Sequence, residues 1–152
     1  MRVLILALGN DLLGDDGGAL KAAEYLANQV NNPNVDIIRT LRSGPALLDY
    51  LCSGYDYIII LDTIAGSDRG KIRKVDIYTY QAKTSIPHFM GLPETIDFIN
   101  KIGLKLPIIE IYCIEITEVK YGFRLSKEVE EAAKKLSQII LNRIEEILSR
   151  EG

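Results

Sequence analysis

Histidine is nearly absent from this chain: His88 is the only one in 152 residues. A Ser-His-Asp hydrolase would have to spend that imidazole beside a nucleophilic serine, and no G-x-S-x-G elbow accompanies it. No H-E-x-x-H zinc motif occurs. Cysteine is scarce too. Cys52 and Cys113 lie far apart in apolar surroundings, neither with a plausible histidine neighbour, and both read as reduced core thiols, which favours the cytoplasm. There is no basic excess: 18 Lys and Arg against 21 Asp and Glu leave a net charge of −3, which argues against nucleic acid as a partner. No apolar run reaches membrane length, and the sequence opens straight into a strand pattern, so neither a membrane span nor a signal peptide is expected. Neither G-x-G-x-x-G nor a P-loop lysine is present. No repeat or low-complexity segment is visible. The expectation is one domain over residues 1–152, cytoplasmic and monomeric.

What the chain does have, at 47% hydrophobic residues, is enough apolar material for a real core and one dense Gly-rich stretch, Gly9-Asn10-Asp11-Leu12-Leu13-Gly14-Asp15-Asp16-Gly17-Gly18. An apolar run, Val3 to Leu8, precedes it and reads as a buried strand over 2–8. Ala19, Leu20, Ala23, Leu26, Ala27 and Val30 follow at helical spacing and predict a helix over 16–30. Two carboxylates thus arrive together at a strand-to-helix turn. Capping accounts for one of them. The second is available as an oxygen ligand to a metal or as a general base. Phosphate is disfavoured, because acids at that spot repel it.

Val35 to Ile38 predicts a second strand, and Ser43-Gly44-Pro45 the start of a short helix. Tyr57 to Leu61 is the most apolar run and should be a central strand that ends on Asp62. Asp62 is either a cap or turn residue or a site residue. Ligands of open α/β sheets sit at the carboxyl ends of parallel strands, so acids after strands one and three converge if those strands are neighbours. Too few residues then follow for a parallel crossover, so strand four, near 71–79, should be an antiparallel edge strand. Residues 81–91 show no helical period and read as an extended return segment carrying His88, either a locally bonded loop histidine or an imidazole brought beside the carboxylates. Pro93 opens a helix with Ile96, Ile99 and Ile102 inward and Gly103 as its stop. Leu106 to Ile114 predicts a fifth strand, and residues 115–124 an irregular link. Ser126 caps the last helix, with Val129, Ala132, Ala133, Leu136, Ile140, Ile144 and Ile147 as its core stripe.

Gly9-Asn10, Leu12, Asp15-Asp16-Gly17, the strand ending in Asp62, Pro87-His88-x-x-Gly91-Leu92, and Gly122 and Leu125 together resemble the hydrogenase maturation endopeptidases. The resemblance implies a three-layer α/β/α sandwich with a mixed five-stranded sheet of order 2-1-3-5-4, strand four antiparallel. It implies removal of a C-terminal peptide from a nickel-iron hydrogenase large-subunit precursor after nickel insertion. It also implies that Asp16, Asp62 and His88 bind metal, nickel supplied by the client or another divalent ion in vitro, with Gly9, Asn10, Asp15 and Gly17 as the supporting turn. Two departures stand out: Ala19 where members often have glycine, and Arg39-Thr40-Leu41-Arg42 where many carry an acid and a Gly-Gly-Thr turn.

With Ser, Cys and H-E-x-x-H chemistry set aside, two carboxylates and one imidazole remain. Three protein ligands leave a metal with open positions, which nickel held by the client's cysteines would fill. Asp16 or Asp62 alternatively serves as base for the attacking water. Two rivals share these residues: a nickel-sensing or nickel-delivering module without peptidase activity, and an amide hydrolase of the same fold with a different client.

Overall fold

The computed structural model describes residues 1–41, 47–83 and 92–150. Its sheet contains β1 (Val3–Leu8), β2 (Val35–Thr40), β3 (Tyr57–Ala65), β4 (Ile72–Val75) and β5 (Ile108–Ile116), in the order β2-β1-β3-β5-β4. β1 pairs in parallel with β2 and β3, and β3 in parallel with β5. β4 is antiparallel to β5 at the edge, because residues 66–71 are too short a link for a crossover. The order and the direction of β4 are those expected from the sequence.

Alternation along the central strands divides the apolar residues between two cores. Val3, Ile5, Ala7, Tyr57, Ile59 and Leu61 face α1 (Gly18–Ala27) and α5 (Lys127–Ser149). Leu4, Leu6, Leu8, Ile58 and Ile60 face α2 (Leu47–Leu51), α3 (Ile77–Lys83) and α4 (Leu92–Lys101). The predicted stripe of α5 is buried throughout, and Ser126 caps the helix by accepting from the Val129 N–H at 3.4 Å. Each fully buried Leu or Ile in such a stripe contributes roughly 1.5–3 kcal/mol.

Several expectations need correction. Strand four is confined to Ile72–Val75, and Thr79 lies in α3. The Asp76 carboxylate accepts from the Thr79 N–H at 2.7 Å, a cap that ends the strand and starts a helix. Residues 81–83 of the supposed extended segment continue that helix, and 84–91 lie outside the described residues. Strand three continues through Asp62 to Ala65, carried by its pairing with β5, and Glu115 of the supposed link lies in β5. The first helix is preceded by a 3-10 turn at Gly14–Gly17 and ends at Ala27, with Ala22 rather than Ala27 facing the core. Ile102 falls in the turn after α4 and is half exposed, and Cys52 is exposed at the end of α2. Pro45 lies outside the described residues. Among the described residues no helix is long and apolar enough to cross a membrane.

Candidate active site at the carboxyl end of the sheet

β1 stops at Leu8, whereas β3 runs on with β5 as its remaining partner. Asp62 is the first residue of β3 beyond its last pairing with β1, so its carboxyl projects beside the turn that follows β1. That turn is the Gly-rich motif. At Gly9, with φ of +152°, a Cβ would lie 2.3 Å from the Asp16 main-chain oxygen, so only glycine lets the two passes of backbone approach. The Asn10 side chain accepts from the Leu12 N–H at 2.9 Å and its carbonyl from the Leu13 N–H at 3.1 Å, which folds the turn back on itself. The Asn10 N–H then donates to Asp16 Oδ2 at 3.0 Å.

Both candidate carboxylates hang on Thr63. Its hydroxyl donates to Asp16 Oδ1 at 2.7 Å, and its N–H donates to Asp62 Oδ1 at 2.7 Å. The second Asp62 oxygen accepts from the Tyr80 hydroxyl at 2.7 Å, delivered by α3 from the opposite side. Burial raises the pKa of Asp16 above the ordinary carboxylate value, against the hydrogen bonds from Thr63 and Asn10. Burial pushes Asp62 further, up to about 7, against the bonds from Tyr80 and Thr63, and the charge of Asp16 adds to the rise. Neither acid has a cationic partner among the described residues. Cys113, the β5 neighbour of Asp62, is held as a neutral thiol by burial and by the Asp62 charge, which disqualifies it as a thiolate nucleophile.

Asp15 is buried and turned elsewhere. It accepts from the Ser126 N–H at 2.6 Å and the Ser126 hydroxyl at 3.0 Å, and Arg69 lies 3.9 Å away. It therefore ties the Gly-rich turn to the start of α5, a different helix from the one it precedes in sequence. Gly17 passes so close to Asp11 that a Cβ would lie 3.0 Å from its Cα. Thus Asp16 and Asp62 are brought to one residue, Asp15 is directed into a structural contact, and His88 lies outside the described residues, as does Arg42. Among the described residues no three His, Cys, Asp or Glu side chains form a metal cluster.

The sequence reading missed Thr63, Tyr80 and Arg69. Thr63 directly follows Asp62 and was legible as a hydroxyl at the end of an apolar strand. Tyr80 was hidden because residues 71–79 read as one strand, although Asp76, Ile77 and Tyr80 already carry a cap and helical spacing. Arg69 had no local signal; its partners are Thr117 just past β5, Asp15 of the Gly-rich turn and Glu128 of α5. Chemically, two desolvated oxygen donors with no counter-charge among the described residues suit a divalent cation, and one of them, in the absence of metal, has a pKa near where a general base is useful.

The chain matches the model of the HycI hydrogenase maturation protease family over residues 20–143, a match that begins just past the Gly-rich turn. It is 29% identical over 143 residues to the protein FrxA of Pyrococcus furiosus, covering 88% of this chain and 98% of that one. A putative hydrogenase maturation protease of Methanocaldococcus jannaschii is also 29% identical, over 93% of this chain and 96% of that one. Among solved structures, the maturation protease HybD of Thermococcus kodakarensis superposes with a TM-score of 0.69 at 29% identity, covering 93% and 98% of the two chains. The maturating endopeptidase HybD of E. coli superposes with a TM-score of 0.78 over 96% and 93% of the chains; at 22% identity it bears on the fold alone. A family match over most of the chain, on the sheet order described above, places this protein in the hydrogenase maturation protease family.

Proposed function

We propose that this chain is an endopeptidase that removes the C-terminal peptide from a nickel-iron hydrogenase large-subunit precursor after nickel insertion. Asp16, Asp62 and His88 read the nickel that the client brings, so the metal belongs to the substrate. The observation that carries this reading is the pair of desolvated carboxylates hung on Thr63 with no cation of their own among the described residues. A divalent ion in place of a proton relieves both. Two carboxylate oxygens and one imidazole nitrogen are a donor set that a borderline first-row metal accepts. Asp62 and Asp16 have their remaining lone pairs aligned by Thr63, Asn10 and Tyr80, which fixes the approach of the client's ion. A client without nickel offers the acids nothing but further desolvation.

A second role follows from the Asp62 value of about 7. It belongs to the alternative in which Asp62 does not ligate the client's nickel: there its carboxylate accepts a proton from the water that attacks the scissile carbonyl. The Tyr80 hydroxyl holds the carboxyl in place during that exchange. The test is incubation with a nickel-loaded large-subunit precursor, read by mobility shift and by mass of the released peptide. One C-terminal peptide is expected. Tight nickel binding without cleavage would make the protein a nickel-binding module, and cleavage of some other protein alone would give it another client.

A further inference from the structure

Among the described residues Thr63 alone donates to both acids, its hydroxyl to Asp16 and its N–H to Asp62. Asn10 and Tyr80 serve one acid each. Consecutive side chains of a strand turn to opposite faces of the sheet. Asp62 therefore points to the α3 side, where Tyr80 meets it, and Thr63 to the side of α1 and α5. Asp16 stands beyond the end of β1, in the 3-10 turn that leads into α1. Asn10, the other donor to Asp16, lies in the same Gly-rich stretch and fixes the carboxylate only relative to that stretch. The Thr63 hydroxyl fixes it relative to β3, and so relative to Asp62.

Nothing in the packing asks for a hydroxyl here. Thr63 is 6% exposed. A Cβ on Gly18, the first residue of α1, would lie 3.6 Å from the Thr63 methyl, 3.6 Å from Ile114 Cδ1 and 2.8 Å from Val129 Cγ1, so the methyl sits in an apolar corner between α1, β5 and α5. Valine would fill that corner and suits a strand as well. A buried hydroxyl costs free energy unless it is bonded, and this one spends its proton on Asp16 Oδ1 at 2.7 Å. A β-branched side chain has few χ1 choices. With the methyl seated against α1, the hydroxyl is held toward Asp16, and helix packing sets the direction of the bond.

We propose that Thr63 is a positioning residue that ties the Gly-rich turn to β3, so that Asp16 and Asp62 meet the client's nickel as one preset pair. The inference rests on the proteolytic reading above and adds the residue through which the two acids act together.

The experiment compares wild type, Thr63→Val and Thr63→Ser. Kd for Ni2+ is read by calorimetry on the folded proteins, and kcat/KM on nickel-loaded precursor. Thr63→Val keeps the branched shape and removes the donor; should it fail to fold, Thr63→Ala removes the same donor. Loss of the hydroxyl should weaken Ni2+ binding by about 10–100-fold, the scale for groups that orient metal ligands, and lower kcat/KM by a similar factor. Thr63→Ser keeps the donor and should return Kd to within about threefold of wild type, which a purely packing role for Thr63 would not do. Unchanged Kd in Thr63→Val, or equal losses in the Val and Ser proteins, would overturn the positioning role and leave the protease reading intact. If wild type cleaves the precursor yet takes up no free Ni2+, kcat/KM decides: a fall in Thr63→Val restored by Thr63→Ser supports the role, and no fall overturns it. If wild type binds Ni2+ without cleaving, the protease reading falls and Thr63 stands or falls on Kd. If wild type neither binds nor cleaves, both fall.

Discussion

Two pairs of acids in this molecule are treated in opposite ways. Glu110 and Glu115 on β5 are buried and compensated. Arg143 holds Glu110 at 2.6 Å with Lys74 at 3.6 Å, and Arg73 holds Glu115 at 2.9 Å. The Arg143 hydrogen bonds pull Glu110 below its ordinary pKa, and the Asp68 N–H followed by Arg73 does the same for Glu115. Asp16, in the turn after β1, and Asp62, on β3, are desolvated and among the described residues receive only neutral donors, so both shift upward. Among the described residues, cations are thus supplied to buried acids that serve structure and none reaches the acids at the carboxyl end of β3. A positive charge there is what a substrate metal would provide.

The comparison breaks most sharply at Asp62. Asp62→Asn keeps the shape and can still accept from the Thr63 N–H. We expect processing of nickel-loaded precursor to fall by about a hundredfold or more, the scale of losing an ionic group made for the reaction. Undiminished cleavage would take Asp62 out of the site.

The two pairs should also oppose each other in pH. The Asp62 pKa is raised on folding, so the native state holds a proton that the unfolded chain releases first. Its contribution is full below the unfolded value near 4 and is lost as pH rises through about 7, at no more than about 1.4 kcal/mol per pH unit. Glu110 and Glu115, with depressed values, contribute above the unfolded glutamate pKa and lose it as pH falls. Denaturant melts of wild type and Asp62→Asn across this range should diverge with rising pH, the variant being more stable at pH 8. Parallel curves would contradict the assigned burial cost.

Arg143→Leu tests the compensated side. It strips Glu110 of its main cation while Lys74 remains, and should cost about 1–3 kcal/mol in chemical denaturation with processing unchanged. Asp15→Asn is the smallest effect. It weakens the bonds to Ser126 and the contact with Arg69, and should cost about 0.5–2 kcal/mol without altering metal affinity by calorimetry. Loss of metal binding there, with Asp16→Asn silent, would show the two acids to be reversed.

These assignments differ in how far they could be seen in advance. The antiparallel direction of β4 was legible because the short 66–71 link forbids a parallel crossover, whereas the order of the strands came with the family resemblance, since apolar runs mark β1, β3 and β5 without saying which are neighbours. The convergence of Asp16 with Asp62 was legible because both follow apolar runs of neighbouring parallel strands. Asp15 looked like a local cap, but its partner is Ser126, 111 residues away, a contact made by the packing of α5 on α1. Tyr80 was illegible while Ile72 to Thr79 read as one strand, since β-rich residues there outweighed the single Asp76 cap. Arg69 was illegible because a lone arginine in a turn carries no pattern until Thr117, Asp15 and Glu128 surround it.

The central claim is that this protein senses the client's nickel through Asp16, Asp62 and His88. The most direct measurement is the rate at which wild-type protein converts nickel-loaded and nickel-free forms of one large-subunit precursor, with His88→Ala run beside it. The account predicts conversion of the loaded form by wild type, none of the nickel-free form, and none of either by His88→Ala at unchanged melting temperature. Equal conversion of both forms by wild type would contradict it.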